Sequence, residues 1–160
     1  DLNHVLIFAS SIKSVREIKR TLNKAGMRAS EMHSGLEQEQ REKTIREFKS
    51  KKIRILVATD ILSRGIDIKG IELVINYEVP HDAEDYVHRI GRTARADRTG
   101  EAITFINPKQ VRDFMDIEKL IEKEVPKLNL PKRFEAAPKY QILPKEKKKK
   151  KWKNFKKKHN

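Results

Sequence analysis

The sequence predicts a doubly wound α/β fold, a mainly parallel sheet of at least five strands with helices on both faces. Short apolar runs rich in Val and Ile alternate with longer charged segments of helical period, the pattern that repeated β-α units leave. At 160 residues and 37% apolar composition, the chain can bury one core of ordinary size but not two.

Val5 to Phe8 is the first apolar run and the first expected strand. A helix follows from Ile12 to about Ala25, with Val15, Ile18 and Leu22 on one stripe and Gly26 placed to end it. Met27 to Met32 reads as a weaker strand, and Glu37 to Ser50 as a helix that turns Ile45 and Phe48 inward. Ile55 to Ala58 is a buried strand, and a loop opens at Thr59. Leu73 to Tyr77 is the fourth strand, Asp82 to about Gly91 a short helix, and Glu101 to Ile106 the fifth strand. Pro108 to Glu124 is expected as a last helix begun by its proline.

Beyond Val125 the pattern stops. Pro126, Pro131, Pro138 and Pro144 interrupt it, so residues 126–144 are expected as a linker after a domain at 1–125. Residues 145–160 form a lysine-rich tail with too little apolar surface to offset the entropy of ordering, and the tail is expected to be disordered when free.

The formal net charge is +14, of which +9 lies from Lys145 onward, so the folded part is only mildly basic. A polyanionic partner such as nucleic acid suits that balance. There is no cysteine, which excludes disulfides and thiolate metal sites; the cytoplasm is the expected compartment and no metal-ligating set is expected. The longest apolar runs are strand-sized, short of the roughly 20 residues that span a bilayer, so no membrane partner is expected. Because the chain opens on Asp1 rather than Met, it is expected to be a piece of a longer protein.

Open parallel sheets bind ligands beyond the carboxyl ends of their strands. One such place is Ala58-Thr59-Asp60 running through Ser63-Arg64-Gly65-Ile66-Asp67-Ile68, which is either a polar turn with capping bonds or a ligand loop whose Gly65 admits close approach. At His88 to Arg95, the residues Arg89, Arg92 and Arg95 recur at three-residue spacing and would share a helical face. That face is either solvated, with pairs such as Asp85 to Arg89, or a set of guanidinium forks converging on phosphate. At Phe8-Ala9-Ser10-Ser11 the first strand meets the first helix, giving either an ordinary N-cap or a seat for a backbone phosphate. Neither a G-x-x-x-x-G-K-S/T phosphate loop nor an Asp-Glu-Ala-Asp run is present, so the chain is not expected to hydrolyse ATP unaided.

These residues resemble the second RecA-like domain of DEAD-box ATP-dependent RNA helicases, from about His4 to Ile106. LIFASS at 6–11 resembles the family's motif IV, ATDILSRGIDI at 58–68 its motif V, and HRIGRTAR at 88–95 its motif VI, in family order. Gln38 and Arg41 match the Q-x-x-R element, with Phe48 seven residues on, and His88 favours the DEAD-box branch. The resemblance implies that Arg92 and Arg95 reach the γ-phosphate of ATP held with Mg²⁺ mainly on an N-terminal RecA-like domain of the same protein. By the same resemblance Arg95, rather than Arg92, would be the finger, Asp67 would accept from the ribose beside Gly65, and His88 would link to the partner domain's acidic motif. Phe8, Ser10, Ser11, Gln38, Arg41, Thr59, Arg64 and Gly65 would meet RNA through its sugar-phosphate backbone, in a monomer. Ala94 stands where the family has Gly, and Ser34-Gly35 where it has Gly-Asp.

In the tail, Lys149 and Trp152 stand for a composition that attracts phosphate and could stack a base, or else for a plain polybasic segment. A non-catalytic RNA-binding or scaffold module is the alternative to the helicase.

Overall fold

The computed structural model describes residues 2–60, 68, 70–93, 100–131, 138 and 140–142. Among these it has five strands, β1 (Val5–Phe8), β2 (Ala29–Met32), β3 (Ile55–Ala58), β4 (Leu73–Asn76) and β5 (Glu101–Thr104). Four helices accompany them, α1 (Ile12–Lys24), α2 (Gln38–Lys49), α3 (Ala83–Ile90) and α4 (Val111–Leu120). The strands form one sheet in the order β2-β3-β1-β4-β5, and every neighbouring pair is parallel. The expected fold class is the one observed.

The chain steps from β1 outward to β2 and then back to β3, so right-handed crossovers put α1 and α2 on opposite faces. Alternation along β1 matches this. Val5 and Ile7 pack with Val15, Ile18 and Leu22 of α1, while Leu6 and Phe8 pack with Ile45 and Phe48 of α2. A third cluster joins α3 and α4 through Tyr86, Phe114 and Ile117. Ile68 and Ile71 are buried on the α2 face and fix the chain's return after β3.

Local chemistry sets the element ends. The Ser11 hydroxyl accepts from the Ser14 amide (3.0 Å) and caps α1. Gly26, at φ +78°, closes α1: its N–H donates to the Asn23 carbonyl, and that of Met27 to the Leu22 carbonyl. The Met27 amide is thereby spent, and Asn23 Oδ1 accepts from the Ala29 amide (2.8 Å), so β2 starts at Ala29 rather than Met27. β4 and β5 likewise end one and two residues before the expected Tyr77 and Ile106.

The last helix is shorter than expected at both ends. Pro108 lies in a turn ahead of α4, where Asn107 accepts from the Lys109 amide through its side chain and from the Gln110 amide through its carbonyl. At the far end Glu122 takes φ +51° and donates to the Lys119 carbonyl, while Lys123 donates to that of Glu118, the same closure that ends α1. Lys51, at φ +60°, ends α2 in the same way.

Past α4, the Glu118 carboxylate accepts from the Val125 amide (2.7 Å), the Lys127 ammonium and the Tyr140 hydroxyl (3.4 Å). Residues of the expected linker are thus bonded to α4. The expected disordered tail, 145–160, lies outside the described residues.

Candidate nucleotide and RNA site at the carboxyl edge of the sheet

Because all strands are parallel, their carboxyl ends share one edge, where Ala9-Ser10-Ser11, His33, Thr59-Asp60, Tyr77-Glu78 and Phe105 leave the sheet. The last turn of α3 reaches this edge through the Arg89 side chain. His88 is exposed, Arg92 is half-buried, and the Arg92 Nε donates to the His88 carbonyl (3.2 Å). Gly91 caps α3, and a Cβ there would stand 3.0 Å from the Val87 carbonyl, so a side chain would push on the turn that carries Arg92.

The structure corrects the idea of three arginines on one face. The helix ends at Ile90, and Arg89 points inward, 1% exposed. Its Nε and Nη2 donate to the two oxygens of Asp60 (2.7 and 2.9 Å), and its Nη1 donates to Asn76 Oδ1 (3.3 Å) and to the Glu78 carbonyl (3.4 Å). The guanidinium also lies 5.1 Å from the centre of the Phe8 ring. Its carboxylate partner is therefore Asp60. Asn76 in turn donates to the Thr104 hydroxyl (3.1 Å). Burial raises the Tyr86 hydroxyl above its usual range against the Thr104 bond, with help from the charge of Glu118.

Phe8 corrects a second expectation. It is fully buried beneath Arg89 and its carbonyl accepts from the Tyr77 amide (2.9 Å), so it supports the edge and offers RNA no surface. Ser10 and Ser11 are exposed. The seat for an anion at the start of α1 holds the Glu78 carboxylate, which accepts from the Ser10 amide (2.7 Å) and the Ser14 hydroxyl (3.4 Å).

Thr59 is half-buried and its amide donates to the Met32 carbonyl (3.1 Å). Gln38 is exposed in the first turn of α2 and donates to Glu42 (2.7 Å), while the buried Nε of Arg41 has no hydrogen-bond partner. At Ser34-Gly35 the loop closes on itself, the Gly35 amide donating to His33 Nδ1 (3.1 Å). Arg64, Gly65, Asp67, Ala94, Arg95, Lys149 and Trp152 lie outside the described residues.

Asn76 and Glu78 of this edge, and Gly100 at the opposite end where β5 starts, escaped the sequence reading. A polar residue closing the apolar run LVIN was the available signal for Asn76. A Cβ on Gly100 would meet the Cβ of Thr93 and stand 2.7 Å from its carbonyl oxygen, so Gly100 lets the start of β5 lie against the turn after α3.

The class of protein that such an edge defines is found among known families. The model of the helicase conserved C-terminal domain matches residues 2–97. The ATP-dependent RNA helicase dbp8 of Emericella nidulans is 42% identical over 130 residues, covering 78% of this chain and 25% of that protein. A crystal structure of a DEAD box protein from the hyperthermophile Methanococcus jannaschii superposes with a TM-score of 0.74 at 44% identity, covering 79% of this chain and 35% of that one. Dbp5 of S. cerevisiae bound to RNA and ADP BeF3 gives 0.67 at 31% identity, covering 76% and 32%.

The chain belongs to the helicase C-terminal domain family and, within it, is a second RecA-like domain of the DEAD-box kind. It spans about a quarter of the length of the curated relatives it matches. No helix among the described residues is long and apolar enough to cross a membrane.

Proposed function

We propose that this domain completes the ATP site of an ATP-dependent RNA helicase and grips one RNA strand, so that ATP binding closes two domains and strains a short duplex locally. The observation that carries the reading is a shared edge. The last turn of α3, which carries His88, is tied through Arg89 to Asp60, next to Thr59, and to the Glu78 carbonyl, and the Glu78 carboxylate accepts from the Ser10 amide, so groups suited to phosphate meet at the carboxyl ends of one parallel sheet. The likeness to Dbp5, which binds RNA and ADP BeF3 in its solved structure, supports it.

In this reading ATP, with Mg²⁺, is held mainly by an N-terminal RecA-like domain and supplies a γ-phosphoryl group for hydrolysis. Arg92 and Arg95 place guanidinium forks against the charge that grows on that group in the transition state. Asp67, beside Gly65, accepts a hydrogen bond from the ribose, and His88 answers an acidic motif of the partner domain. Ser10, Ser11, Gln38, Arg41, Thr59, Arg64 and Gly65 hold the RNA backbone without reading bases. With the domain at 1–125 and a linker at 126–144, Lys149 and Trp152 in the 145–160 tail tether RNA loosely.

RNA-stimulated ATPase activity of the full-length protein tests the reading, against its Arg95→Ala variant and this chain alone. Activity in the full-length protein with near silence in the other two is expected. A full rate in the variant would remove the finger from Arg95, and no ATPase in the full-length protein would favour a non-catalytic RNA-binding module. Deleting the residues after Pro144 is expected to weaken RNA binding and flatten its salt dependence; unchanged values would remove the tether.

A further inference from the structure

We infer that Arg89 is the positioning residue that transmits the nucleotide state from the last turn of α3 to the strand ends facing RNA, through a buried guanidinium hub. The inference rests on the helicase reading above. It begins from a cost: a buried charge is expensive, and an apolar residue of similar size often serves stability equally well. Arg89 is 1% exposed and nevertheless charged.

Its partners come from three separate strand ends. Asp60 follows β3 and takes two of its donors, Asn76 closes β4, the Glu78 carbonyl lies just beyond β4, and the Phe8 ring closes β1. Two of them adjoin a group that the helicase reading gives to RNA. Thr59 immediately precedes Asp60, and the Glu78 carboxylate holds the amide of Ser10 (2.7 Å). On the other side, Arg89 stands in sequence between His88 and Arg92, the nucleotide-facing pair, and the Arg92 Nε is bonded to the His88 carbonyl.

A rotation of this turn as Arg92 engages phosphate therefore moves the guanidinium, and the fixed geometry of its fork carries the motion to Asp60 and Glu78. A lysine ammonium keeps the charge but loses the planar fork, so it cannot hold Asp60 through two parallel bonds and reach Asn76 as well. Arg89 touches neither ligand in this account. Its effect is on the coupling free energy between two sites, which is measurable and reciprocal.

The test uses the full-length protein, a fluorescein-labelled oligouridine and a non-hydrolysable ATP analogue. The affinity for RNA is measured with and without the analogue, and that for the analogue with and without RNA. Couplings of this kind run from about 5-fold to about 150-fold, and Arg89→Lys is expected to bring the ratio below about 2-fold while each affinity measured alone changes by less than about 3-fold.

A variant that loses both separate affinities yet keeps the ratio would overturn the inference, since Arg89 would then only hold the fold. So would a variant that changes nothing. Should Arg89→Lys fail to fold, Asp60→Asn is read in the same way: it keeps the side-chain size and removes the carboxylate, and an unchanged ratio in it overturns the inference. An unaltered protein in which the analogue does not change RNA affinity would instead overturn the helicase reading, and the role of Arg89 with it.

Discussion

Removing the carboxylate beside Arg89 puts a number on the hub. In Asp60→Ala, Nε and Nη2 lose their carboxylate acceptors while Nη1 keeps Asn76 and Glu78. Breaking a fully buried ion pair by deleting one partner costs about 3–5 kcal/mol. The Asp60 side chain is 42% exposed, however, so water can enter from that side and solvate part of the fork. The expected loss is therefore smaller, about 2 kcal/mol. Urea unfolding of this chain followed by circular dichroism reads it, as a lower midpoint at unchanged slope. Adding Arg89→Met to the same protein is expected to restore about 1 kcal/mol, because the flexible thioether fills the space and no charge remains to be solvated. A loss below about 0.5 kcal/mol for Asp60→Ala, or a double variant less stable than the single one, would refute the reasoning.

Three further outcomes follow from the packing and the charges. Gly100→Ala drives a methyl group into Thr93 and displaces the turn that carries Arg92, so kcat of the full-length ATPase is expected to fall by about tenfold or more with nucleotide-free RNA affinity unchanged; an unaltered kcat would contradict it. Lys51→Gly relieves a left-handed backbone worth about 1–2 kcal/mol while the freer unfolded chain takes back about 0.5–1 kcal/mol, so thermal melting is expected to rise by about 2 °C. Glu118→Gln addresses pH. Burial works to raise the Glu118 carboxyl, but bonds from Lys127 and the Val125 amide, with the Lys127 charge and the Tyr140 hydroxyl, outweigh it and hold the group below its usual range. A carboxyl lowered on folding contributes stability that is fully present above its unfolded value and lost as pH falls through its folded value. The melting difference between the two proteins is thus expected near neutrality and gone in strong acid, and a difference constant with pH would tell against it.

Much of the fold was legible because it depends on periodicity. The five strands and four helices of the described residues stand where apolar runs and helical stripes put them, and Gly26 marks the end of α1 as glycine usually does. The same closure at Lys51 and Glu122 left no trace, since neither residue favours a positive φ. The overlong last helix has a related cause: proline opens helices often enough to suggest it, but the Asn107 side chain claims the next turn instead. In the site, spacing alone put Arg89, Arg92 and Arg95 on one face, because linear spacing assumes that the helix continues past Ile90. What separates Arg89 is a carboxylate 29 residues upstream and an asparagine on another strand, contacts that only the folded sheet brings together. His4 makes the same point. Its two ring nitrogens each lie 3.0 Å from a carbonyl oxygen, of Gly70 and of Phe48, and nothing near it in the sequence suggests either.

The most direct test of the central claim is strand separation of a short RNA duplex by the full-length protein, with and without ATP and with Arg95→Ala. The account predicts opening that needs ATP, is lost in the variant, and is absent for an all-DNA duplex of the same sequence. Opening at the same rate without ATP, or in the variant, would contradict it.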